Sequence, residues 1–315
     1  MARKEIKVSA GEHRMRLEDF LCGRFTGLSK MYLRDVVKNE RCEVNGRFEN
    51  RGHLLRANDF IEIDIDPARE TAMRPEDVSL DIVFEDEQLL IVNKPAGMLV
   101  HPTHRDKNGT LLNALTFYLN AEYSNAGMRI TDCEFASVPN SFAFRTSHSA
   151  FIRPGLIHRL DKQTSGLMVI AKTPRAHRIL AEHFRKKLVE KRYLALVDGT
   201  VKDDHGIINT SIGRFAEKKF WNVKPDGKPA ETRYCVKERF DATTLLELEP
   251  VTGRTNQLRI HCAHIGHPIV GDTERGGGSF QRLCLQAYKL AFWHPNGGAW
   301  MEFEIDPATE MIRKS

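Results

Sequence analysis

The hydrophobic positions fall into two differently patterned regions. In residues 15–66, Leu17, Phe20 and Leu21 recur at helical spacing, Gly27 and Ser29 punctuate, and Met31, Leu33, Val36 and Val37 give a second short helix with Ser29 as its N-cap. Cys42-Glu43-Val44 then runs into an Asn45-Gly46 turn, and residues 58–65 alternate as a strand. This predicts a small helix-plus-hairpin domain over 15–66, preceded by an N-terminal extension at 1–14. Residues 67–75 run from Pro67 to Pro75 without periodicity and read as a linker.

A second fold is predicted over 76–315. Residues 80–86 and 89–93 are two strands joined by a polar turn at Asp86 to Gln88, and Thr110 caps a helix carrying Leu111, Leu112, Ala114, Leu115 and Tyr118. Patterning fades from Ala121 to Arg153, so this stretch holds short elements or a functional loop. After the apolar strand Leu167-Met168-Val169-Ile170-Ala171, Thr173-Pro174 gives an N-cap with proline at the first helical position. Ala176, Leu180, Phe184 and Leu188 mark the buried stripe of that helix, which leaves Arg175, Arg178, Arg185 and Lys186 outside it. Residues 192–199 read as a strand with Tyr193, Ala195 and Val197 on one face. A hairpin-rich stretch over 207–235 turns at residues 224–227, and 243–248 is another strand. Many strands and few helices predict an α+β domain around a mainly antiparallel mixed sheet.

Composition adds a location and a charge. With 41% hydrophobic and 28% charged residues and a net charge of +5, the chain reads as globular and tolerant of a polyanion. From His158 to Tyr193, ten Lys or Arg face three Asp or Glu, whereas residues 1–70 are nearly balanced. The six cysteines follow no zinc spacing and read as reduced thiols. No apolar run approaches the ~20 residues that span a bilayer, and the first residues lack the apolar segment of a signal peptide. A cytoplasmic monomer is the simplest expectation.

Several chemistries are excluded by pattern. Neither a Gly-x-Gly-x-x-Gly after a strand nor a Gly-Lys-Ser/Thr phosphate loop occurs. His261, His264 and His267 form the tightest histidine cluster, but Gly266 and Pro268 break a shared helical face, so metal-free chemistry without a cofactor is expected. In His158-Arg159-Leu160-Asp161-Lys162-Gln163-Thr164-Ser165-Gly166, one carboxylate stands between two bases in a turn feeding a buried strand. Asp161 is either a turn residue satisfying backbone N–H groups or a nucleophile or base, held ionised by an adjacent guanidinium. A glycosidase would need a second carboxylate at defined separation, and none pairs with it convincingly.

Four segments in order decide between these. They are the front module with Arg16-Leu17 and Val44-Asn45-Gly46, then residues 93–97 (Asn-Lys-Pro-Ala-Gly), residues 153–161 ending in His-Arg-Leu-Asp, and residues 252–255 (Thr-Gly-Arg-Thr). Together they resemble the RluA family of RNA pseudouridine synthases with an S4-like RNA-binding domain in front. The resemblance implies exchange of uracil's N1–C1′ bond for C5–C1′, with Asp161 as the essential carboxylate and Tyr193 as the base-stacking aromatic. It implies Arg254 as the arginine that pairs with Asp161, while Arg259 is the alternative that touches phosphate or braces the loop. RNA contacts are expected from Lys30, Arg34, Lys38 and Arg41 in the S4-like domain, and from Arg159, Lys162, Arg178, Arg185, Lys186, Lys191 and Arg259 around the catalytic loop. Leu160, Leu167 and Met168 are expected to wall the pocket. Asn256 stands where the family commonly has histidine, and residues 124–150 exceed the family's usual length there. Structured RNA, large-subunit ribosomal RNA ahead of transfer RNA, is the implied partner; a non-catalytic RNA-binding or ribosome-assembly factor is the alternative.

Overall fold

The computed structural model describes residues 2–25, 28, 30–66, 74–103, 106–120, 153–215, 217 and 220–311. Gly27, Ser29 with its expected capping role, most of the expected linker, and residues 124–150 lie outside them. The chain divides into two compact units, Met1–Ser79 with His101–Pro154, and Leu80–Val100 with Gly155–Ser315. The division is therefore not one break near residue 70. Among the described residues no helix is long and apolar enough to cross a membrane.

In the first unit, β1 (Ala2–Lys7), α1 (Leu17–Arg24), α2 (Lys30–Lys38), β2 (Cys42–Val44), β3 (Arg47–Phe48) and β4 (Phe60–Ile65) form a sheet ordered β1-β4-β2-β3 with two helices. Leu17, Phe20, Leu21, Leu33, Val36, Val44, Ile61 and Ile63 make its core. Asn45 and Gly46 both take positive φ, as the expected Asn-Gly turn requires, and the Asn45 amide bridges Asp59 and the Phe60 N–H. Two expectations change. Residues 1–14 are not an extension outside the domain: β1 pairs along all of β4, from Ala2 opposite Ile65 to Lys7 opposite Phe60, and Ile6 and Val8 enter the core. Met31 is 74% exposed, and the neighbouring Tyr32 takes the buried position in α2. The helix α3 (Leu111–Leu119) starts as expected, with the Thr110 side chain accepting from the Asn113 N–H. It is tied within this unit by the Asn113 amide, which donates to the Arg74 carbonyl at 2.8 Å.

In the second unit, β5 (Ile82–Glu85), β6 (Leu89–Lys94), β7 (Gly155–Leu156), β8 (Ser165–Ala171), α4 (Pro174–Arg185), β9 (Glu190–Asp198), β10 (His205–Phe215), β11 (Phe220–Val223), β12 (Lys228–Arg239), β13 (Thr243–Pro250), α5 (Gln257–His264), β14 (Leu285–Trp293) and β15 (Trp300–Glu304) surround one sheet. Its order is β11-β10-β12-β13-β9-β14-β8-β6-β5, with β15 on β14 and β7 on β8. Every pairing is antiparallel except β14 with β8, so the sheet is mixed and mainly antiparallel, as the alternation predicts. Ala287 in β14 faces Gly166 of β8 on one edge and Tyr193 of β9 on the other, and a bulge follows it.

One core packs β6, β8 and α4 through Leu89, Ile91, Leu167, Val169, Ala176 and Leu180; another packs β9, β13 and α5 through Leu194, Leu246, Leu248 and Cys262. The Thr173 hydroxyl caps α4 by accepting from the Ala176 N–H at 3.1 Å. The helix ends at Arg185, and Lys187 turns left-handed with φ of 59°. Leu188 is consequently 46% exposed and not part of the expected buried stripe.

Candidate active site

Asp161 sits in the loop between β7 and β8, and three neighbours shape that loop. The Asp161 carbonyl accepts from the Thr164 N–H at 3.1 Å, closing the turn. His158 accepts from the Val169 N–H at 3.1 Å through Nε2, and its ring stacks on Phe184 with centroids 4.7 Å apart. Burial, with Lys191 adding to it, pushes the His158 imidazole down to about 3, so it works as a neutral acceptor. Lys94, 1% exposed, donates through Nζ to the carbonyls of Pro95, Met98 and Lys162 at 2.7, 2.8 and 3.3 Å. Burial lowers it to about 8, against the raising effect of Asp161. Sequence reading recognised Lys94 as part of a motif but gave it no role. The signal was a lysine closing a strand that opens on four apolar residues, where an amine needs several acceptors to be buried.

The loop enters the sheet at Gly166, whose φ is 118°. An added Cβ would stand 2.2 Å from the Ala287 carbonyl oxygen and 2.6 Å from its nitrogen, so β8 and β14 meet here only because the residue is glycine. Arg282 fastens the same point, donating through Nη2 to the Ser165 hydroxyl at 2.7 Å.

Burial is the first influence on the Asp161 carboxyl and raises it; Arg259, Arg159, Arg275 and Lys94 oppose this in that order. The net direction is upward. The expectation that a guanidinium holds Asp161 below its ordinary range is therefore reversed, because desolvation outweighs the cations. Tyr193 is likewise raised, by burial first and the Asp161 charge second, which keeps its phenol protonated.

Arg254 does not make the expected pair with Asp161. Its Nε donates to the Pro229 carbonyl at 3.0 Å, and its backbone N–H donates to the Gln257 side chain. Arg259, in the first turn of α5, exerts the largest influence of any cation on the Asp161 carboxyl. Gln257 explains the local geometry. Its amide donates to the Glu231 carbonyl and the Thr232 hydroxyl, and its oxygen accepts from the Arg254 N–H and the Thr252 hydroxyl. Asn256 holds the N-cap of α5 in a left-handed conformation with φ of 55°, which Asn tolerates better than most residues.

These groups open on one cleft of about 910 Å³. Asp161, Tyr193, Arg254, Arg259, Arg159, Arg185, Lys191 and Leu160 all line it, together with Lys187, Arg233, Glu249 and Trp221, which sequence reading did not single out. Leu167 and Met168 do not wall the cleft: they are fully buried in β8, because the chain passes from loop to two-faced core strand within two residues of Ser165. Lys162, Arg178 and Lys186 also lie outside its lining, with exposed side chains. In the first unit, Lys30 and Arg34 both reach Glu18, at 2.7 and 2.8 Å, Arg41 lies over the Tyr32 ring, and Lys38 borders a separate hollow with Met31 and Phe48.

His261, from the histidine cluster, sits between the hydroxyls of Thr232 and Thr210 at 2.8 and 2.9 Å, while His267 meets the Asp198 carbonyl. Among the described residues no group of three His, Cys, Asp or Glu is placed to hold a metal.

The family model described as RNA pseudouridylate synthase matches residues 88–264. A protein of Aquifex aeolicus named "Uncharacterized RNA pseudouridine synthase" is 36% identical, over 96% of this chain and 92% of its own. Ribosomal large subunit pseudouridine synthase D of Escherichia coli (strain K12) is 32% identical, over 98% of this chain and 93% of its own. Among solved structures, human RNA pseudouridylate synthase domain containing 4 shares the fold with a TM-score of 0.56 at 22% identity, covering 74% of this chain and 90% of that one. With the family model spanning more than half of its length, and relatives aligned from end to end around the Asp161 loop, this chain belongs to the RNA pseudouridylate synthase family.

Proposed function

We propose that this protein isomerises a uridine of large-subunit ribosomal RNA to pseudouridine, with Asp161 opening the exchange, Tyr193 stacking on the base and Arg259 holding the carboxylate. The observation that carries the reading is the convergence of the Asp161 carboxylate and the Tyr193 phenol, both half-buried, in one cleft lined by seven Arg or Lys. The ribosomal target follows from near full-length similarity to ribosomal large subunit pseudouridine synthase D.

A target nucleotide would leave its stack, at least cost in a loop, and its phosphates would meet Arg159, Arg185, Lys187, Lys191 and Arg233 along the cleft. Asp161 then attacks C1′ or removes a ribose proton, and N1–C1′ breaks. The uracil turns and C5 bonds to C1′ as the Asp161–C1′ bond breaks or the abstracted proton returns to the ribose, and the proton lost from C5 is matched by one gained at N1. The product is an isomer, and the atoms balance without a co-reactant. Tyr193 suits the turning step because β9 fixes its ring on both edges, between β13 and β14. The helical pair of the first unit, with Lys30, Arg34, Lys38 and Arg41, serves as an S4-like RNA contact in this reading.

Incubating ribosomal and transfer RNA from cells lacking the gene with wild type and with Asp161→Asn, measuring binding and then mapping pseudouridine by carbodiimide chemistry or mass spectrometry, tests the proposal. New pseudouridine in large-subunit RNA from wild type alone is expected. Equal modification by both proteins removes Asp161 from the chemistry, modification only of transfer RNA overturns the target, and RNA binding without modification favours the non-catalytic reading.

A further inference from the structure

Behind Arg259 lies a second charged layer to which no role has yet been given. The Arg259 fork clasps Asp272, with Nε 2.7 Å from Oδ2 and Nη2 2.6 Å from Oδ1, and Nη2 also reaches Glu274 at 3.0 Å. The Asp272 side chain is 1% exposed and that of Glu274 is 68% exposed, so the inner contact is the one shielded from solvent. On the other side of Asp272 stands Arg275, its side chain 3% exposed and its Nε 3.8 Å from Asp272 Oδ2. Its guanidinium lies over the Phe220 ring at 4.6 Å and donates through Nη2 to the Trp221 carbonyl at 3.1 Å. Nε itself finds no hydrogen-bond partner among the described residues. A buried guanidinium with an unsatisfied nitrogen is costly, and Arg275 feels four charges: Arg259, Asp272, Glu274 and Asp161.

We infer that Asp272 is a positioning residue that fixes the Arg259 guanidinium against Asp161, and that Arg275, buried on the far side of Asp272, completes the row of alternating charges behind that carboxylate. The charges alternate in sign: Asp161, Arg259, Asp272, Arg275. Without Asp272, Arg259 and Arg275 repel each other and the fork loses its bidentate anchor. Without Arg275, burial of Asp161 is opposed only by Arg259, Arg159 and Lys94, and its proton is held more tightly. The backbone holds the layer together, because the Asp272 carbonyl accepts from Arg275 and Gly277 while its N–H donates to Ile269.

The inference rests on Asp161 being the reacting carboxylate, and its test is chosen to be read without turnover. Asp161 faces Arg159 in its own loop, Lys94 at the end of β6, Tyr193 on β9, Arg259 on α5, and Arg275. Carboxyl-carbon NMR titration of the full chain labelled at aspartate, with the Asp161 signal assigned by its loss in Asp161→Asn, gives the ionisation midpoint directly. Arg275→Gln is expected to raise that midpoint by on the order of half a pH unit, whereas Arg275→Lys keeps it near the wild-type value. The acid limb of the kcat profile is expected to move with it while KM changes little. Asp272→Asn removes a negative charge and so lowers the midpoint, yet its kcat is expected to drop by about tenfold because Arg259 is no longer held.

A merely structural role would lower the folded fraction, read by circular dichroism, and leave the midpoint of the folded protein in place. An unmoved midpoint in Arg275→Gln, or a folded Asp272→Asn with wild-type kcat, overturns the inference. If Asp272→Asn does not fold, Arg275→Gln alone decides. Absence of pseudouridine with wild type counts against the function proposed above, while the titration still settles this layer.

Discussion

Replacing Gly166 by alanine is the sharpest single test of how the catalytic loop is mounted. The new methyl carbon would lie 2.2 Å from the Ala287 carbonyl oxygen and 2.7 Å from its carbon, and both atoms are backbone of a strand held on each edge. An ordinary contact needs about 3.4 Å, so β14 or β8 must move by roughly 1 Å in a close-packed interior. The φ of 118° is a region that L side chains rarely adopt, which costs about 1–3 kcal/mol. Overpacking adds about 1–3 kcal/mol more, giving roughly 4 kcal/mol against the 5–15 kcal/mol that typically holds a domain together. Trp221, Trp293 and Trp300 all lie in the same unit, so urea unfolding followed by tryptophan fluorescence reads the loss directly. Pseudouridine formation is expected to fall further than stability, since Asp161 is five residues away in the loop that moves. Gly23→Ala in α1, where no atom lies within 4 Å of the added carbon, is expected to change stability in the opposite direction, gaining about 0.5–1 kcal/mol by circular dichroism. A Gly166→Ala protein within 0.5 kcal/mol of wild type would refute the reasoning, because neither strain nor collision would then be real.

Two further outcomes follow from polar side chains that gather several partners. Gln257→Leu removes four hydrogen bonds and takes the side-chain acceptor from the Arg254 N–H, while the Glu231 carbonyl keeps the Val251 and Thr252 N–H groups; a loss of about 3 kcal/mol in urea midpoint analysis is expected, and a loss under 1 kcal/mol would show that the loop over 252–255 is held by other means. Glu18 is lowered to about 2, first by its hydrogen bond from Arg34 and then with Lys30 helping. Because the folded value lies below the unfolded one, the stabilisation is present above about pH 4.5 and is lost as pH falls toward 2. Lys30 and Arg34 have side chains 46% and 44% exposed, so solvent screening limits the effect to about 1 kcal/mol. Glu18→Gln should lack that acid-side slope, and parallel slopes for the two proteins would contradict the clamp.

Local rules carried the sequence reading furthest where the physics is local. Thr110 and Thr173 cap α3 and α4 because a hydroxyl one residue before an apolar repeat needs no tertiary partner to work. The turn at Asp86 is similar, its side chain accepting from the N–H groups of Gln88 and Leu89. The misses have a common source in facing direction. Arg254 and Arg259 lie five residues apart, and only the fold of α5 sends the first guanidinium to the Pro229 carbonyl and the second to Asp272. Residues 257–264 mix helix formers with apolar residues of no clear period, so α5 was not anticipated. Leu167 and Met168 look like pocket wall from their nearness to Asp161, but a strand buried on both faces leaves no side for a cavity. The charges of β1 hide its one buried side chain, Ile6, and pairing along an edge leaves little hydrophobic trace in sequence.

Ala287 gives the site an unusual kind of independence. Through it, the strand that leaves the carboxylate loop and the strand that bears the phenol are each one ladder step, about 4.8 Å, from a common reference. Errors in placing the two groups therefore do not accumulate along α4 and its connections, however those segments vary in length. The spacing of the two groups is thereby insulated from changes in the length of the chain between residues 172 and 189, even though Phe184, Arg185 and Lys187 of that stretch line the cleft. What the arrangement cannot absorb is a slip of one residue in β9, which would turn the Tyr193 ring to the other face of the sheet.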